Sequence, residues 1–172
     1  MKVPDNHFVT DWSRDGRYFL TTEFNRNDET SRLHLVSRDG SEDRVLRAAG
    51  KEAESGVLSP DGGKVLYTAI DPERKEKEKG YQGGLFVLDV RSGKVARVQG
   101  QPLNGSDMGY CWSPDGKRIA HAWRFDQGPR AEGELTESVL VVSDADGSNP
   151  VTIATERGRQ PGIITIADPN WR

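Results

Sequence analysis

The amino-acid sequence predicts an all-β fold made of repeated four-stranded units, and three observations lead there. An apolar strand, a Ser-x-Asp-Gly turn and a second apolar strand recur in that order three times. The copies stand 46 and 54 residues apart, counted from Asp15 to Asp61 and from Asp61 to Asp115, close to the roughly 40–50 residues of blade-type repeats. No stretch carries helical periodicity beyond about two turns.

The first copy opens with Trp12-Ser13-Arg14-Asp15-Gly16-Arg17, the second with Leu58-Ser59-Pro60-Asp61-Gly62, and the third with Trp112-Ser113-Pro114-Asp115-Gly116-Lys117. In such a turn Pro presets φ at the first central position, Asp tolerates the next, and Gly takes the left-handed conformation that closes the strands. The strands that follow are Tyr18–Thr22, Val65–Ala69 and Ile119–Trp123. The second of these is nearly all apolar or small, as expected of a strand covered on both faces. A third strand then appears at Leu33–Val36, Leu85–Leu88 and Val139–Val142, and each runs into a further turn at Asp39-Gly40, Ser92-Gly93 or Asp146-Gly147. Short fourth strands close the copies near Val45, Val95–Val98 and Val151–Ile153.

Four antiparallel strands joined as a meander make one β-propeller blade. The expectation is therefore a single domain over 1–172, with blade 1 at about 7–48, blade 2 at about 53–100, blade 3 at about 107–156 and a further first-type strand at about 161–172 that contains Trp171. Trp12 and Trp112 are expected at equivalent positions, buried between adjacent sheets. Copy two departs from the pattern: Leu58 replaces the Trp, and Gly63 reads as an extra residue that makes its first hairpin irregular.

These residues resemble the TolB-type propeller repeat, whose pattern is Pro-x-Trp-Ser-Pro-Asp-Gly-Lys, an Ile-Ala-Phe-like strand, then a strand ending in Asp-Gly. Copy three is the closest match, from Trp112 through Ile119-Ala120 to Asp146-Gly147, and the resemblance covers nearly the whole chain. It implies a bacterial propeller protein. It specifies the blade rather than the function, since such propellers occur in periplasmic scaffolds, in gating domains of peptidases and in many other proteins.

Three blades fall short of the roughly four to eight that close a ring, so the chain reads as half of a six-bladed propeller. Its expected partner is a second copy of itself, or missing blades of a longer chain; in a dimer the segment Ile163 to Trp171 would pair across the junction by strand addition.

Composition narrows the function classes. The 172 residues include 24 Lys and Arg against 27 Asp and Glu, a net charge of −3, which lacks the basic excess that phosphate backbones require. Nucleic acid is not an expected partner. Cys111 is the only cysteine, so neither a disulfide nor a zinc site built on cysteine pairs can form within the chain. No apolar run approaches the roughly 20 residues of a membrane span, and the N-terminus lacks the apolar core of a signal peptide. The chain reads as soluble, cytoplasmic as it stands and periplasmic if a leader has been removed.

Candidate binding residues come from chain direction. The short Asp-Gly and Ser-Gly turns gather on one side of the blades, while longer middle loops, about Phe24 to Ser31, Ile70 to Gly84 and Arg124 to Glu137, gather on the other. Loops well beyond the common hairpin length are often functional. Trp123, Arg124 and Phe125, with Asp107, Tyr110 and Tyr81, are the candidate contacts to a protein or small ligand. The charged run from Asp71 to Lys79 reads as a solvated loop.

Catalytic, cofactor and metal residues are not expected. No Gly-x-Ser-x-Gly elbow and no phosphate-binding glycine loop is present. Asp144-Ala145-Asp146-Gly147-Ser148-Asn149 lacks the glycine and glutamate spacing of a calcium loop and reads as a hairpin turn. His7, His34 and His121 lie in separate segments with no i, i+4 pairing, and His34 and His121, interior to strands, read as structural. The expectation is a non-enzymatic binding and assembly module. The alternative is the propeller portion of a hydrolase or lyase whose catalytic groups lie on a missing segment or at the propeller mouth, in Asp107, Arg124 and His121.

Overall fold

The computed structural model describes residues 4–25, 27, 30–46, 52–71, 83–102, 105–126 and 135–159. Among them every regular element is a strand, and the strands form three four-stranded antiparallel sheets. The first sheet orders β1 (His7–Trp12), β2 (Tyr18–Asn25), β3 (Thr30–Ser37) and β4 (Asp43–Leu46) side by side. The second repeats the meander with β5 (Glu54–Leu58), β6 (Lys64–Ile70), β7 (Gly83–Asp89) and β8 (Val95–Arg97). The third is β9 (Gly105–Trp112), β10 (Arg118–Asp126), β11 (Leu135–Asp144) and β12 (Val151–Arg159). These are propeller blades. The segment 160–172, with the expected extra strand and Trp171, lies outside the described residues, as does Tyr81.

The turn between the first two strands of each blade is built by side chains within six residues of one another. In blade 1 the Ser13 hydroxyl donates to Asp15 Oδ1 at 2.6 Å and accepts the Tyr18 N–H at 2.9 Å, while Asp15 Oδ1 accepts the Arg17 N–H at 3.0 Å. The same bonds recur from Ser59 and Asp61 in blade 2, and from Ser113 and Asp115 in blade 3. The backbone N–H of each turn glycine returns to the Ser carbonyl, and Gly16, Gly62 and Gly116 have φ of 70°, 69° and 68°. A side chain is strained there, so Gly116→Ala is expected to destabilise by about 1 kcal/mol or more in urea unfolding.

The hairpin of copy two is regular, which corrects the sequence expectation. Ser59 pairs with Lys64 as Ser13 pairs with Tyr18 and Ser113 with Arg118, so Gly63 occupies the place of Arg17 and Lys117 and is not an insertion. Asp39 organises the second turn of blade 1 in the same manner, with Ser37 and Ser41. The Ser41 N–H is the foremost of several hydrogen bonds that bring the Asp39 carboxyl down to about 2. Asp144 to Asn149 also forms a hairpin turn, with Asp146 Oδ1 accepting the Ser148 N–H at 2.9 Å.

The blades fall into two compact units, one holding the first and second sheets and the other the third. In the first unit, Leu20, Leu33, Leu35 and Leu46 of the first sheet pack with Leu58, Val65, Tyr67, Phe86 and Leu88 of the second in one buried cluster. The sheets approach closely: a Cβ on Gly56 would stand 2.7 Å from Leu20 Cδ2 and 3.1 Å from Val65 Cγ1. Two hydrogen bonds cross the same junction, from Leu58 N–H to Asp11 Oδ2 at 2.7 Å and from the Ser31 hydroxyl to Glu54 Oε1 at 3.1 Å. No helix among the described residues is long and apolar enough to cross a membrane.

Candidate functional site

Apart from Tyr81, which lies outside the described residues, the sequence-predicted contact residues sit on strands, and blade 3 does not present them together. β10 continues to Asp126, with Trp123, Arg124 and Phe125 paired to Val139, Ser138 and Glu137 of β11. The expected loop therefore starts later than Arg124. Likewise Phe24 and Asn25 pair with Ser31 and Thr30. Because a strand turns successive side chains to opposite faces, Trp123 shares a face with Asp107 and Tyr110, which lie opposite Trp123 and His121 on β9, whereas Arg124 belongs to the other face. The side chain of Phe125 lies outside the described set.

Trp123 is fully buried, which corrects its place among the candidate contacts to a protein or small ligand. Its indole N–H donates to His121 Nδ1, and His121 Nε2 stands 3.3 Å from the Ser143 hydroxyl. Indole nitrogen can only donate, so Nδ1 of His121 is an acceptor and the neutral ring carries its proton on Nε2. A second proton would set two donors against each other. Burial agrees, pushing His121 down to about 4 from its ordinary 6.5. Asp107 Oδ1 accepts the Gly109 N–H at 2.8 Å. His121, Asp107 and Arg124 thus do not converge as a catalytic set would have to.

The first sheet has one face against the second sheet and one turned away from it. Direct partners share a face, so the outward face carries Val9 and Trp12 of β1, Phe19, Thr21 and Glu23 of β2, His34 and Val36 of β3, and Asp43 and Val45 of β4. Trp12 leans on Phe19 with ring centroids 5.8 Å apart, yet it is 59% exposed, whereas its counterpart Trp112 is 8% exposed. The two tryptophans do hold the same register, Trp12 opposite Phe19 and Trp112 opposite Ile119. The expectation that both are buried therefore fails for Trp12 because of its surroundings and not its position in the repeat: its face points away from the second sheet. Val9 and Val45 are exposed on the same face.

Beside these apolar groups lies a polar cluster that spans all four strands. His34, buried, places Nδ1 2.7 Å from Asp43 Oδ1 and Nε2 3.1 Å from Glu23 Oε2. His7 Nδ1 is 2.9 Å from the Thr21 hydroxyl, and the His7 and His34 rings meet edge to face with centroids 4.5 Å apart. They meet over β2, where Thr21 is small enough to leave room between β1 and β3. Asn6 donates to Glu23 Oε1 at 3.0 Å. His7 is held below its ordinary range, chiefly by burial and then by His34, against smaller opposite effects of Asp43 and Glu23. Placing His7 and His34 in separate segments missed this cluster. Parity counted from the Asp15 hairpin would set His7 opposite Phe24; a register shift between Val9 and Asp11 brings it opposite Glu23 instead, and that bulge has no signature in the sequence.

Comparison with known proteins agrees with the blade architecture. No protein-family model matches the chain, and no curated protein matches it. Among solved structures, the TolB-type protein of Agrobacterium tumefaciens superposes with a TM-score of 0.63 at 19% identity, over 92% of this chain and 52% of that one. TolB of Acinetobacter baumannii gives 0.57 at 18% identity, over 86% of this chain and 32% of that one. Oligogalacturonate lyase of Vibrio parahaemolyticus gives 0.62 at 13% identity, over 88% and 40%. The fold is a TolB-like β-propeller. The chain spans about half the length of the Agrobacterium protein and less of the other two.

Proposed function

We propose that the chain is a non-enzymatic binding and assembly module, a TolB-like propeller that pairs with a second copy of itself through the outward face of its first sheet. The observation that carries this reading is the contrast between Trp12, 59% exposed, and Trp112, 8% exposed, at one register position of the repeat. A residue built for the space between two sheets stands open, with Val9 exposed on the same strand and Val45 at the far edge of the same face, while Phe19 and Val36 between them are buried. The packing of the second sheet on the first is the template for what would cover them. Large exposed apolar side chains grouped on one face mark interaction surfaces. On this reading the segments between the second and third strands of each blade serve to recognise a protein or small ligand.

The expected mass in sedimentation equilibrium at micromolar concentration is twice the 19.1 kDa of the chain. Trp12→Lys should return it to a monomer without loss of fold. A wild-type monomer at every concentration would overturn self-pairing, and would favour closure of this face by further blades of a longer polypeptide.

A further inference from the structure

We infer that His7, His34 and Asp43 form a binding site for one divalent transition cation of the zinc class, with Glu23 and Thr21 orienting the two imidazoles. One ligand atom from each of the three residues lies within 4.8 Å of the others. Three protein ligands of the His-His-carboxylate type, with a position left for water, are a recurrent zinc set. Tetrahedral bonds of about 2 Å place ligand atoms roughly 3.4 Å apart, so the side chains close by little more than an ångström to reach the ion.

The surrounding bonds already do what outer residues do at such sites. Metal-bound histidines hand their other ring nitrogen to a carboxylate or another acceptor, which fixes the tautomer. Here His34 Nε2 faces Glu23 Oε2 at 3.1 Å, and Glu23 is itself held by Asn6 at 3.0 Å. That leaves His34 Nδ1, 2.7 Å from Asp43 Oδ1, to bind beside this carboxylate. His7 Nδ1 is engaged by the Thr21 hydroxyl at 2.9 Å, which leaves Nε2 as its ligand atom. The cation would take the place of the His34 Nδ1–Asp43 hydrogen bond.

The repeat itself argues that the cluster is not ordinary blade packing. Thr21 and its partner His34 hold the places that Tyr67 and Phe86 fill in blade 2, where their rings lie 5.9 Å apart in the buried cluster. Glu23 holds the place of buried Ala69. Blade 1 thus has polar and ionisable groups where blade 2 has core. The inference does not depend on self-pairing, although the face is the same.

The test is calorimetric titration of zinc chloride into the untagged, EDTA-stripped full chain, at a concentration where sedimentation gives a single mass. One zinc per chain is expected. His7→Gln and Asp43→Asn should each weaken binding at least tenfold, and Glu23→Gln about tenfold, with circular dichroism unchanged. Absence of saturable binding in the wild type, or affinity unchanged in His7→Gln, would overturn the site. Should a variant fail to fold, zinc-edge X-ray absorption of the wild type decides: an inner shell with two imidazoles supports the site, and one of oxygen alone contradicts it.

Discussion

Trp123→Ala is expected to destabilise the chain by about 3–5 kcal/mol in urea unfolding, the cost of removing a large ring from a site that cannot collapse around the gap. Trp123 has no exposed surface, and it stands on β10 between Asp107 of β9 and Val139 of β11. The substitution also removes the only indole donor to His121 Nδ1, leaving a buried acceptor to be satisfied in some other way. Trp123→Phe narrows the comparison, because it keeps most of the apolar volume while losing the N–H and the second ring. It should fall clearly between wild type and Ala. A loss below about 1 kcal/mol for Trp123→Ala would mean that the indole is not core, and would return it to the surface role that the sequence suggested.

The second large effect is acid sensitivity set by His121. Burial holds this ring at about 4 in the folded chain against an ordinary 6.5. In the unfolded chain it takes up a proton near 6.5, so protonation favours unfolding. Stability should be complete above pH 6.5, decline as the pH falls, and level off below about 4, with a total loss of about 3 kcal/mol from this one group. The turn aspartates act in a lower window. Hydrogen bonds within their turns, led by the Ser hydroxyl at Asp61 and Asp115, depress their carboxyls, so they contribute stability that disappears only as the pH falls through their folded values. His121→Phe should remove this ring's share of the decline between pH 6.5 and 4, leaving the smaller share of His7, which burial also holds low, and the loss at lower pH from the turn aspartates. If unfolding free energies measured across pH 7 to 4 are the same in both proteins, the buried neutral ring is wrong.

What the sequence made legible was local chemistry. Ser13, Asp15 and Gly16 act on the backbone within a span of six residues, so the tripeptide pattern alone announces a hairpin, and three copies of it set the blades. Misreading Gly63 as an insertion came from its similarity to Gly62; only the pairing of Ser59 with Lys64 shows that the turn length is unchanged. The less legible features depend on partners far away in the chain. Trp12 and Trp112 have nearly the same neighbours in sequence but differ in what lies over their faces. The continuation of β10 past Trp123 to Asp126 is masked by the charged residues Arg124 and Asp126. His7 and His34 are 27 positions apart and meet across a strand. Their encounter needs both the register of β1 on β2 and the small Thr21 between them, and the second condition has no signature in a histidine count.

The central claim, that the outward face of the first sheet is covered in the working protein, is tested most directly at Trp12 itself. Hydroxyl-radical footprinting read by mass spectrometry reports each tryptophan separately. In a lone chain Trp12, 59% exposed, should be labelled far faster than Trp112 at 8%. The account predicts that raising the chain concentration from nanomolar to micromolar slows labelling at Trp12 and leaves Trp112 unchanged. Labelling of Trp12 at the rate of an open indole across that whole range would contradict it.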